Sequence, residues 1–404
     1  MYQYTHKNCL EIKEETLARF NNNKLSLRTI IKEKLSYTTN TTPLYKVLHQ
    51  PIVDEWITPY ITIAKQIREN FDDILIIAMG GATLNPQAIL GLLKNKIARP
   101  QFHFINNTDP FDFKTLLDQL NLRKTICIVI SNSGETLETI ALTKSCLKYY
   151  QKSAVMNFQN NFLFITGAGN NSLRRLGEQI NSTIYDHASH ISGRYAGFTN
   201  ISTLPGLIAG INVEQLFQGA AKVIEDFWNN KEESIVAQAA AILAAVEKPI
   251  MVNLAYLQCF SPFLEWYSQI IAESLGKNKG GFTPIRGLGP NDQHSMLQLY
   301  LEGKSDKIFT MFYLSDPEIE MQNSISELSR INNICFEATK QALSDKQLPL
   351  RTLILNDLSE KSVGALMTHS MLEIILLGHL LDINPFDQPG VESIKIHARS
   401  MLNV

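Results

Sequence analysis

The 404-residue chain has few cysteines, no excess of charge of one sign and no long apolar run. Its five cysteines are odd in number and scattered without CxxC spacing, which argues against a disulfide framework and against a zinc site. The 37 basic residues nearly balance the 39 acidic ones, so no charge field favours nucleic acid. Apolar runs stay below the about 18 residues of a membrane span, and the first residues lack an apolar signal core. We therefore expect a soluble, cytoplasmic protein with no metal ion, no nucleic-acid partner and no membrane segment.

Short apolar runs alternate with helical segments along most of the chain. The runs "DILIIAMGG", "QFHFIN", "TICIVI" and "NFLFITG" come first, and "KPIMVNLA", "KIFTMFYL" and "LRTLILN" follow later. Such runs without polar alternation indicate strands buried on both faces, and the helices between them indicate parallel crossovers. The pattern predicts an α/β protein with mainly parallel sheets flanked by helices, in two lobes at 49–215 and 216–404. A polar N-terminal helical arm is expected over 1–48, and Cys127 and Cys146 should pack as small apolar residues.

The stretch "SNSGETLET" follows the apolar run "TICIVI" directly. In an open parallel sheet, ligands bind at the carboxyl ends of the strands. A helix that starts near Glu135 or Thr136 would present free N–H groups, and Ser131 and Ser133 would add hydroxyl donors. A phosphate dianion suits such a site, and Gly134 would let the backbone approach it. A Ser/Thr-capped turn without a ligand also explains part of the stretch, so the residue types alone leave both interpretations open.

Five segments carry a resemblance to a known family. The segment "ISNSGETLETI" resembles the phosphate loop of SIS (sugar isomerase) domains. The segments "MGGATLNPQAI", "SGRYAGFTNISTLPGLIAG", "ESLGK" with "TPIRGLGPNDQHSMLQLYLEG", and "NPFDQPGVESIK" resemble phosphoglucose isomerases, in the order in which that family has them. The resemblance implies two SIS-type three-layer α/β/α lobes in a short form of the family. It also implies reversible isomerisation of glucose 6-phosphate to fructose 6-phosphate through ring opening and an enediolate, with no cofactor.

A glutamate in the segment "SPFLEWYSQIIAESLGK" is the candidate base. The segment predicts a helix with Ser261 as N-cap, Pro262 in the first helical position and an end before Gly276. Glu273 then lies in the last turn, where the carbonyl ends of the helix disfavour a negative charge and so favour a proton acceptor. A solvated glutamate at a helix end is the simpler interpretation from the residues alone. The resemblance implies that Glu273 is the isomerisation base.

Four further side chains take their roles from the resemblance alone. His294 matches the ring-opening histidine, and Lys395 matches a lysine of the same acid/base step. Arg194 matches the arginine near the enediolate, and Gln388 matches a glutamine beside the sugar phosphate. Each would otherwise be interpreted as an ordinary surface or core residue. The other residues expected to bind substrate are Gly80, Gly81, Ser131, Asn132, Ser133, Thr136 and Gly193.

Four positions depart from the family pattern, and one of them is Ile394, which stands in "GVESIK" where a glycine is common. Ala78 and Ala82 stand where the first glycine loop often has glycine and serine, so one hydroxyl contact is lost unless Thr83 replaces it. Asn132 stands where many members have lysine, which removes one positive charge near the phosphate. These changes concern affinity for the phosphorylated sugar and leave the candidate catalytic residues intact.

The resemblance also implies a partner, and two alternative functions stay open. It implies a homodimer in which His294 completes the active site of the partner subunit. One alternative is another SIS isomerase, for example one that accepts mannose 6-phosphate as well as glucose 6-phosphate. The other is a sugar-phosphate-sensing SIS module, which would call for a basic, nucleic-acid-binding segment that this sequence lacks.

Overall fold

The computed structural model describes the following residues: 1–9, 43–52, 54–188, 190–229, 234–315 and 323–401. The chain divides into two compact units. The first unit comprises Thr42–Ala221 and Ser359–Gly364. The second unit comprises Lys222–Leu358 and Ala365–Val404 together with the segment Met1–Thr41. The lobe boundary expected between residues 215 and 216 stays a prediction.

Ten strands occur in the described part of the chain. They are β1 Tyr2–Lys7, β2 Asp73–Ala78, β3 Gln101–Ile105, β4 Thr125–Ser131, β5 Phe162–Thr166, β6 Thr183–Asp186, β7 Ile250–Ala255, β8 Thr283–Leu288, β9 Lys307–Leu314 and β10 Leu350–Leu355. The first unit has the sheet order β3-β2-β4-β5-β6, with every pair parallel. The second unit has the order β1-β10-β9-β7-β8, in which only the edge strand β1 is antiparallel.

Fourteen α-helices occur in the same described ranges. They are α1 Pro43–His49, α2 Ile61–Asn70, α3 Gly81–Leu92, α4 Pro110–Gln119, α5 Leu137–Lys152, α6 Ser172–Gln179, α7 Asn200–Ala209, α8 Val213–Asn229, α9 Ile235–Ala245, α10 Ser261–Leu275, α11 Leu297–Glu302, α12 Asn323–Asp345, α13 Glu360–Leu380 and α14 Glu392–Met401. The predicted α/β class, with mainly parallel sheets flanked by helices, is confirmed.

The expected N-terminal helical arm is wrong in its first part. Residues Tyr2–Lys7 form strand β1, which pairs with β10 from Tyr2 opposite Leu355 to Lys7 opposite Leu350. The pairing gives an antiparallel edge to a sheet that is otherwise parallel, a common arrangement in α/β proteins. Residues 10–42 of the expected arm lie outside the described part of the chain, and residues 43–49 are helical.

The first unit has a core of the kind that the apolar runs predict. All seven residues of β4 are buried, and helix α5 packs against the sheet through Leu142, Cys146 and Tyr150. Cys127 and Cys146 are both fully buried in this core, as expected for small apolar residues. Because the central strands are buried on both faces, their carboxyl ends carry the first polar residues that reach solvent.

The second unit holds a buried ion pair between sheet and helix. Arg351 on β10 and Glu373 on α13 are 0% and 1% exposed and form a close salt bridge. The hydroxyl of Tyr267, on α10, donates to Glu373 Oε2 at 2.6 Å and accepts from Arg351 Nη2 at 2.9 Å. Arg351 Nε also donates to Thr310 Oγ1 on β9 at 2.8 Å. The cluster therefore joins two strands to helices α10 and α13.

Helix α13 is apolar enough to be compared with a membrane segment. Among the described helices it alone has the length and composition of a span, with a mean hydropathy of 1.4 over its most apolar window. However, 89% of that window is buried inside the protein. Burial of this extent is what a core helix shows.

We predict that the variant Glu373→Gln loses about 3–5 kcal/mol of unfolding free energy, because it leaves the Arg351 charge buried without its anion. The measurement is urea denaturation at neutral pH. A matched control is Glu337→Gln, which removes an exposed pair with Lys340 and should cost no more than about 1 kcal/mol. Equal losses of unfolding free energy in the two variants would contradict the conclusion that Glu373 neutralises a buried Arg351 charge.

The unfolding free energy that Glu373→Gln loses should also depend on pH. Burial alone raises the pKa of Glu373, but the Arg351 guanidinium and His369 lower it to about 2. The folded-state pKa thus lies below the unfolded value of about 4.3, so the stabilisation is complete above that value and is lost as the pH falls toward 2. The difference between wild type and Glu373→Gln should shrink over this range.

Candidate active site

The phosphate-type loop of the first unit lies between β4 and α5. Strand β4 ends at Ser131, and helix α5 begins at Leu137 with Thr136 as its N-cap. The helix therefore begins within two residues of the predicted position. The hydroxyls of Ser131 and Thr136 are 3.1 Å apart, and Ser131 Oγ also accepts from the Gly134 N–H. Ser133 Oγ accepts from the Glu135 N–H at 3.2 Å, so its own proton is available to a further acceptor.

Helix α6 holds this loop in place. The Glu135 carboxylate accepts from the backbone N–H and the hydroxyl of Ser172, at 2.7 and 2.8 Å. The carbonyl of Gly134 accepts from the Leu173 N–H at 3.0 Å. Gly134 has a φ of +65°, and a Cβ there would lie 1.9 Å from Asn171 Oδ1. Glycine is thus required by both its backbone conformation and its neighbour.

The start of helix α5 is suited to an anion. Thr136 makes no side-chain cap hydrogen bond, so the first N–H groups of the helix are not satisfied by their own N-cap. These N–H groups carry the positive end of the helix dipole. One of the two protons on the Ser131 and Thr136 hydroxyls also remains available, because their mutual hydrogen bond uses only one. The loop can therefore offer backbone and hydroxyl donors to a phosphate group.

A second glycine motif lies against the arginine motif. Strand β2 ends at Ala78, and helix α3 begins at Gly81 with Gly80 as N-cap at a φ of +55°. A Cβ on Gly81 would lie 2.3 Å from the carbonyl group of Gly193 and 2.6 Å from the nitrogen of Arg194. The Asn85 amide donates to the Gly193 carbonyl at 2.8 Å. The sequence motifs at 79–89 and 192–210 are therefore in direct backbone contact.

Three predicted motifs meet at one edge of the first sheet. Ala78 lies opposite Ile130 in the parallel pair of β2 and β4, so the turns after these strands are neighbours. The Asn132 amide approaches the Ile191 carbonyl at 3.5 Å, which connects the phosphate-type loop to the segment before Arg194. Arg194 itself is 1% exposed and has its guanidinium 5.3 Å from the centre of the Tyr195 ring. The structure brings these predicted residues together, whereas their roles stay predictions.

Helix α10 of the second unit carries Glu273 in its last turn. The helix ends at Leu275, as predicted, and the amide of Gln269 donates to Glu273 Oε1 at 2.9 Å. Its start differs by one residue from the prediction. Ser261 is the first helical residue instead of the N-cap, because the 3-10 turn Gln258–Phe260 runs directly into the helix. Glu273 is half-buried.

His294 lies at the end of a firmly held turn. The 3-10 turn Asn291–His294 follows strand β8 and precedes helix α11. Gln293 donates to the hydroxyl of Tyr256 and to the carbonyl of Cys335, both at 2.9 Å. The carboxylate of Asp292 accepts from the Leu288 N–H at 2.7 Å. The neighbours of His294 are thus fixed to the unit, while the histidine side chain is exposed.

The C-terminal motif lies after helix α13. Gln388 is exposed in the loop that precedes the 3-10 turn Pro389–Val391. Lys395 is on helix α14, and its side chain lies outside the description. Their proposed contacts with a substrate stay predictions.

Two residues near the first-unit loops were not singled out from the sequence. Glu135 accepts a hydrogen bond from Ser172 at the start of helix α6. The residue type of Asn171 indicates the N-cap of that helix, but nothing in the sequence indicates that Glu135 contacts a residue 37 positions away. His187 follows strand β6 and is 4% exposed, and burial lowers its pKa to about 4, so it is neutral at pH 7. Within the described ranges no cluster of three or more His, Cys, Asp or Glu residues could hold a metal ion.

Comparison with solved structures shows which fold the chain has. Tagatose-6-phosphate ketose/aldose isomerase from Escherichia coli is similar with a TM-score of 0.56 at 13% identity, over 87% of this chain and 95% of that chain. A glucose-6-phosphate isomerase from Chlamydia trachomatis is similar with a TM-score of 0.83 at 19% identity, over 100% of this chain and 88% of that chain. The fold is the SIS fold of sugar-phosphate isomerases.

Comparison of sequences defines the family. The family model for phosphoglucose isomerase matches residues 62–305. A glucose-6-phosphate isomerase from Methanocaldococcus jannaschii is 30% identical, over 98% of this chain and 98% of that protein. The chain belongs to the phosphoglucose isomerase family, which confirms the resemblance seen in the motifs.

We predict that Gly81→Ala destabilises the protein by about 1–3 kcal/mol, because its new Cβ would press on the backbone of Gly193 and Arg194, which cannot move aside as a side chain can. Urea denaturation measures the loss. Gly390→Ala is the control, since a Cβ there would have no neighbour within 4 Å. If Gly81→Ala is as stable as this control, the two motifs are not in tight contact.

Proposed function

We propose that this protein interconverts glucose 6-phosphate and fructose 6-phosphate. Membership of the phosphoglucose isomerase family over most of the chain is the observation that carries the proposal. The geometry of the phosphate-type loop supports it, because backbone and hydroxyl donors are held ready there for an anion. The reaction is a step of glycolysis and gluconeogenesis, and we assign it to the cytoplasm.

The phosphate group binds to the loop from Ser131 to Thr136. Ser133 and Thr136 donate hydroxyl hydrogen bonds, and the first N–H groups of α5 complete the site. Asn132 contributes an amide in place of a lysine. The turns at Gly80–Gly81 and Gly193 let the backbone approach the sugar closely, and Gln388 lies beside the sugar phosphate.

Glu273 is the base of the isomerisation. It takes the proton from C2 of the open-chain aldose and returns it to C1, while the hydroxyl proton passes from O2 to O1. The amide of Gln269 donates to one oxygen of the carboxylate and so helps to orient the base. Arg194 stabilises the negative enediolate, and its burial supports this role because charge interactions are stronger away from water.

His294 and Lys395 assist ring opening. The step transfers the proton of the O1 hydroxyl to the ring oxygen O5, and it needs one group that accepts a proton and one that donates it. A histidine suits both directions near neutral pH.

The topology of the second unit supports a shared active site. Helix α10 starts after β7 and runs back along the sheet, and seven residues, 276–282, join it to β8. Glu273 therefore lies near the amino ends of the strands, whereas His294 follows the carboxyl end of β8. A six-residue strand is about 20 Å long, so we expect the two side chains of one chain to be too far apart to act on the same sugar. We infer a homodimer in which His294 serves the partner subunit.

An exposed apolar surface near His294 fits such a dimer. Leu328, Ile331 and Ile334 on helix α12 are 68%, 44% and 50% exposed, and Leu299 on α11 is 46% exposed. Helix α12 also holds the turn of His294, through the hydrogen bond from Gln293 to the Cys335 carbonyl. A two-fold axis at this surface would bury the apolar side chains and bring each histidine toward the other subunit.

The direct test is an assay that measures glucose 6-phosphate formed from fructose 6-phosphate. Wild type should be active, and Glu273→Gln should lower kcat by about 10²–10⁴-fold while KM changes little. Glu265→Gln is the matched control, since Glu265 lies on the same helix and pairs with Arg286 on the surface.

Mannose 6-phosphate should be tested in parallel. Turnover of both substrates would indicate the broader isomerase, and binding without any turnover would indicate a sensing module. Normal kcat in Glu273→Gln would remove this residue from the role of base.

The shared site can be tested with two inactive variants. Glu273→Gln and His294→Ala chains are mixed under conditions that allow subunits to exchange. Half of the dimers are then mixed, and each mixed dimer has one complete site, so activity should recover to roughly a quarter of wild type. If His294 serves its own subunit, every site lacks one group and mixing restores nothing. Native mass spectrometry confirms that mixed dimers have formed.

A further inference from the structure

Lys277 connects the end of the base helix to the C-terminal motif. It lies two residues after the end of α10 and four residues after Glu273. Its ammonium group donates to the Asn384 carbonyl at 2.5 Å, to the Asp387 carbonyl at 2.7 Å and to Asp387 Oδ1 at 2.6 Å. The side chain is only 11% exposed. An ammonium has three N–H donors, so this loop satisfies all of them.

The loop that Lys277 holds is also ordered by its own side chains. Asn384 donates from its amide to Asp387 Oδ2 at 3.0 Å, and its Oδ1 accepts from the Phe386 N–H at 3.1 Å. Asp387 thus lies between Lys277 and Asn384, with one carboxylate oxygen bound to each. The Ile383 N–H donates to the Gly378 carbonyl at 2.8 Å, which fixes the start of the loop to helix α13.

The position of this loop follows from the fold. Helix α10 follows β7 and helix α13 follows β10, and these strands belong to one parallel series. Both helices therefore run back along the sheet and end at its amino edge. Lys277 joins these two helix ends across 107 and 110 positions of sequence.

We propose that Lys277 is a positioning residue that fixes Gln388 and the start of helix α14 relative to Glu273. Gln388 directly follows Asp387, and α14, which carries Lys395, begins four residues further on. The inference rests on the proposed function, because Glu273, Gln388 and Lys395 act on the substrate there. Lys277 itself acts through the loop. Its effect should be on the alignment of groups in the reaction, since displacement by about 1 Å can cost about 10²-fold in rate.

A second lysine of the same unit offers a matched comparison. Lys307, at the start of β9, is 5% exposed and donates to the Lys304 carbonyl at 2.9 Å and to Asp306 Oδ1 at 2.6 Å. It has the same kinds of acceptor and similar burial, but these acceptors lie within three positions of it in the sequence. Lys307→Met should therefore reproduce the stability cost of losing a buried ammonium without disturbing the loop after α13.

The experiment compares the full-length variants Lys277→Met and Lys307→Met with wild type, at a temperature where all three are folded. Lys277→Met should lower kcat by about 10- to 100-fold, with a smaller change in KM. Lys307→Met should keep the wild-type kcat. Asp387→Asn should lower kcat less than Lys277→Met, because the two carbonyl acceptors remain. The double variant Lys277→Met/Asp387→Asn should be no worse than Lys277→Met alone.

Hydrogen exchange provides a readout that does not need turnover. Amide exchange in residues 383–391 should become faster in Lys277→Met and stay unchanged in Lys307→Met. An active wild type with unchanged kcat and exchange in Lys277→Met would overturn the positioning role alone. Equal losses of kcat in the two lysine variants would overturn it as well. Inactive wild type would overturn the proposed function, and with it any role of Lys277 in the reaction.

Discussion

The direction of the strands is the constraint on which the candidate site depends. In a parallel sheet every strand ends at the same edge, and every helix that follows a strand returns to the opposite edge. In the first unit this constraint collects the turns after β2 and β4 together with the arginine motif. In the second unit it separates Glu273, at a helix end, from His294, after a strand end. Strand direction thus brings the first-unit motifs together and separates Glu273 from His294 in the second unit.

Strand direction can fix the positions of helix ends only if the helices do not shift on the sheet. In the second unit the buried Arg351–Glu373 pair meets that requirement. An ion pair removed from water contributes little net stability, but its strict geometry disfavours alternative packings of its partners. Tyr267 extends the pair to helix α10, and Glu373 belongs to α13. These are the helices whose ends Lys277 joins at the amino edge of the sheet. The buried ion pair and the contacts of Lys277 therefore fix the same two helices, α10 and α13.

The sequence predicts the buried parts of the fold better than its edges. The runs that became β4 and β9 are mostly apolar and are buried along their whole length, because both faces of these strands are covered. Strands β1 and β8 are not recognisable in this way. Strand β1 lies at a sheet edge and has mostly exposed residues, and β8 contains a proline, an arginine and a glycine. Their pairing is decided by contacts with β10 and β7, which local sequence does not encode.

In the candidate site, too, the sequence predicts local features but not the contacts between distant segments. Local rules predicted the end of α10 at Leu275 and the start of α5 within two residues. They could not predict that Glu135 holds Ser172, that Gly81 touches Gly193 or that Lys277 binds Asp387, because each contact depends on how distant segments pack. The family resemblance named the chemical groups without showing what holds them. In this chain the holding residues are a carboxylate, a glycine and a lysine that lie inside the family motifs, but the sequence assigned none of them a holding role.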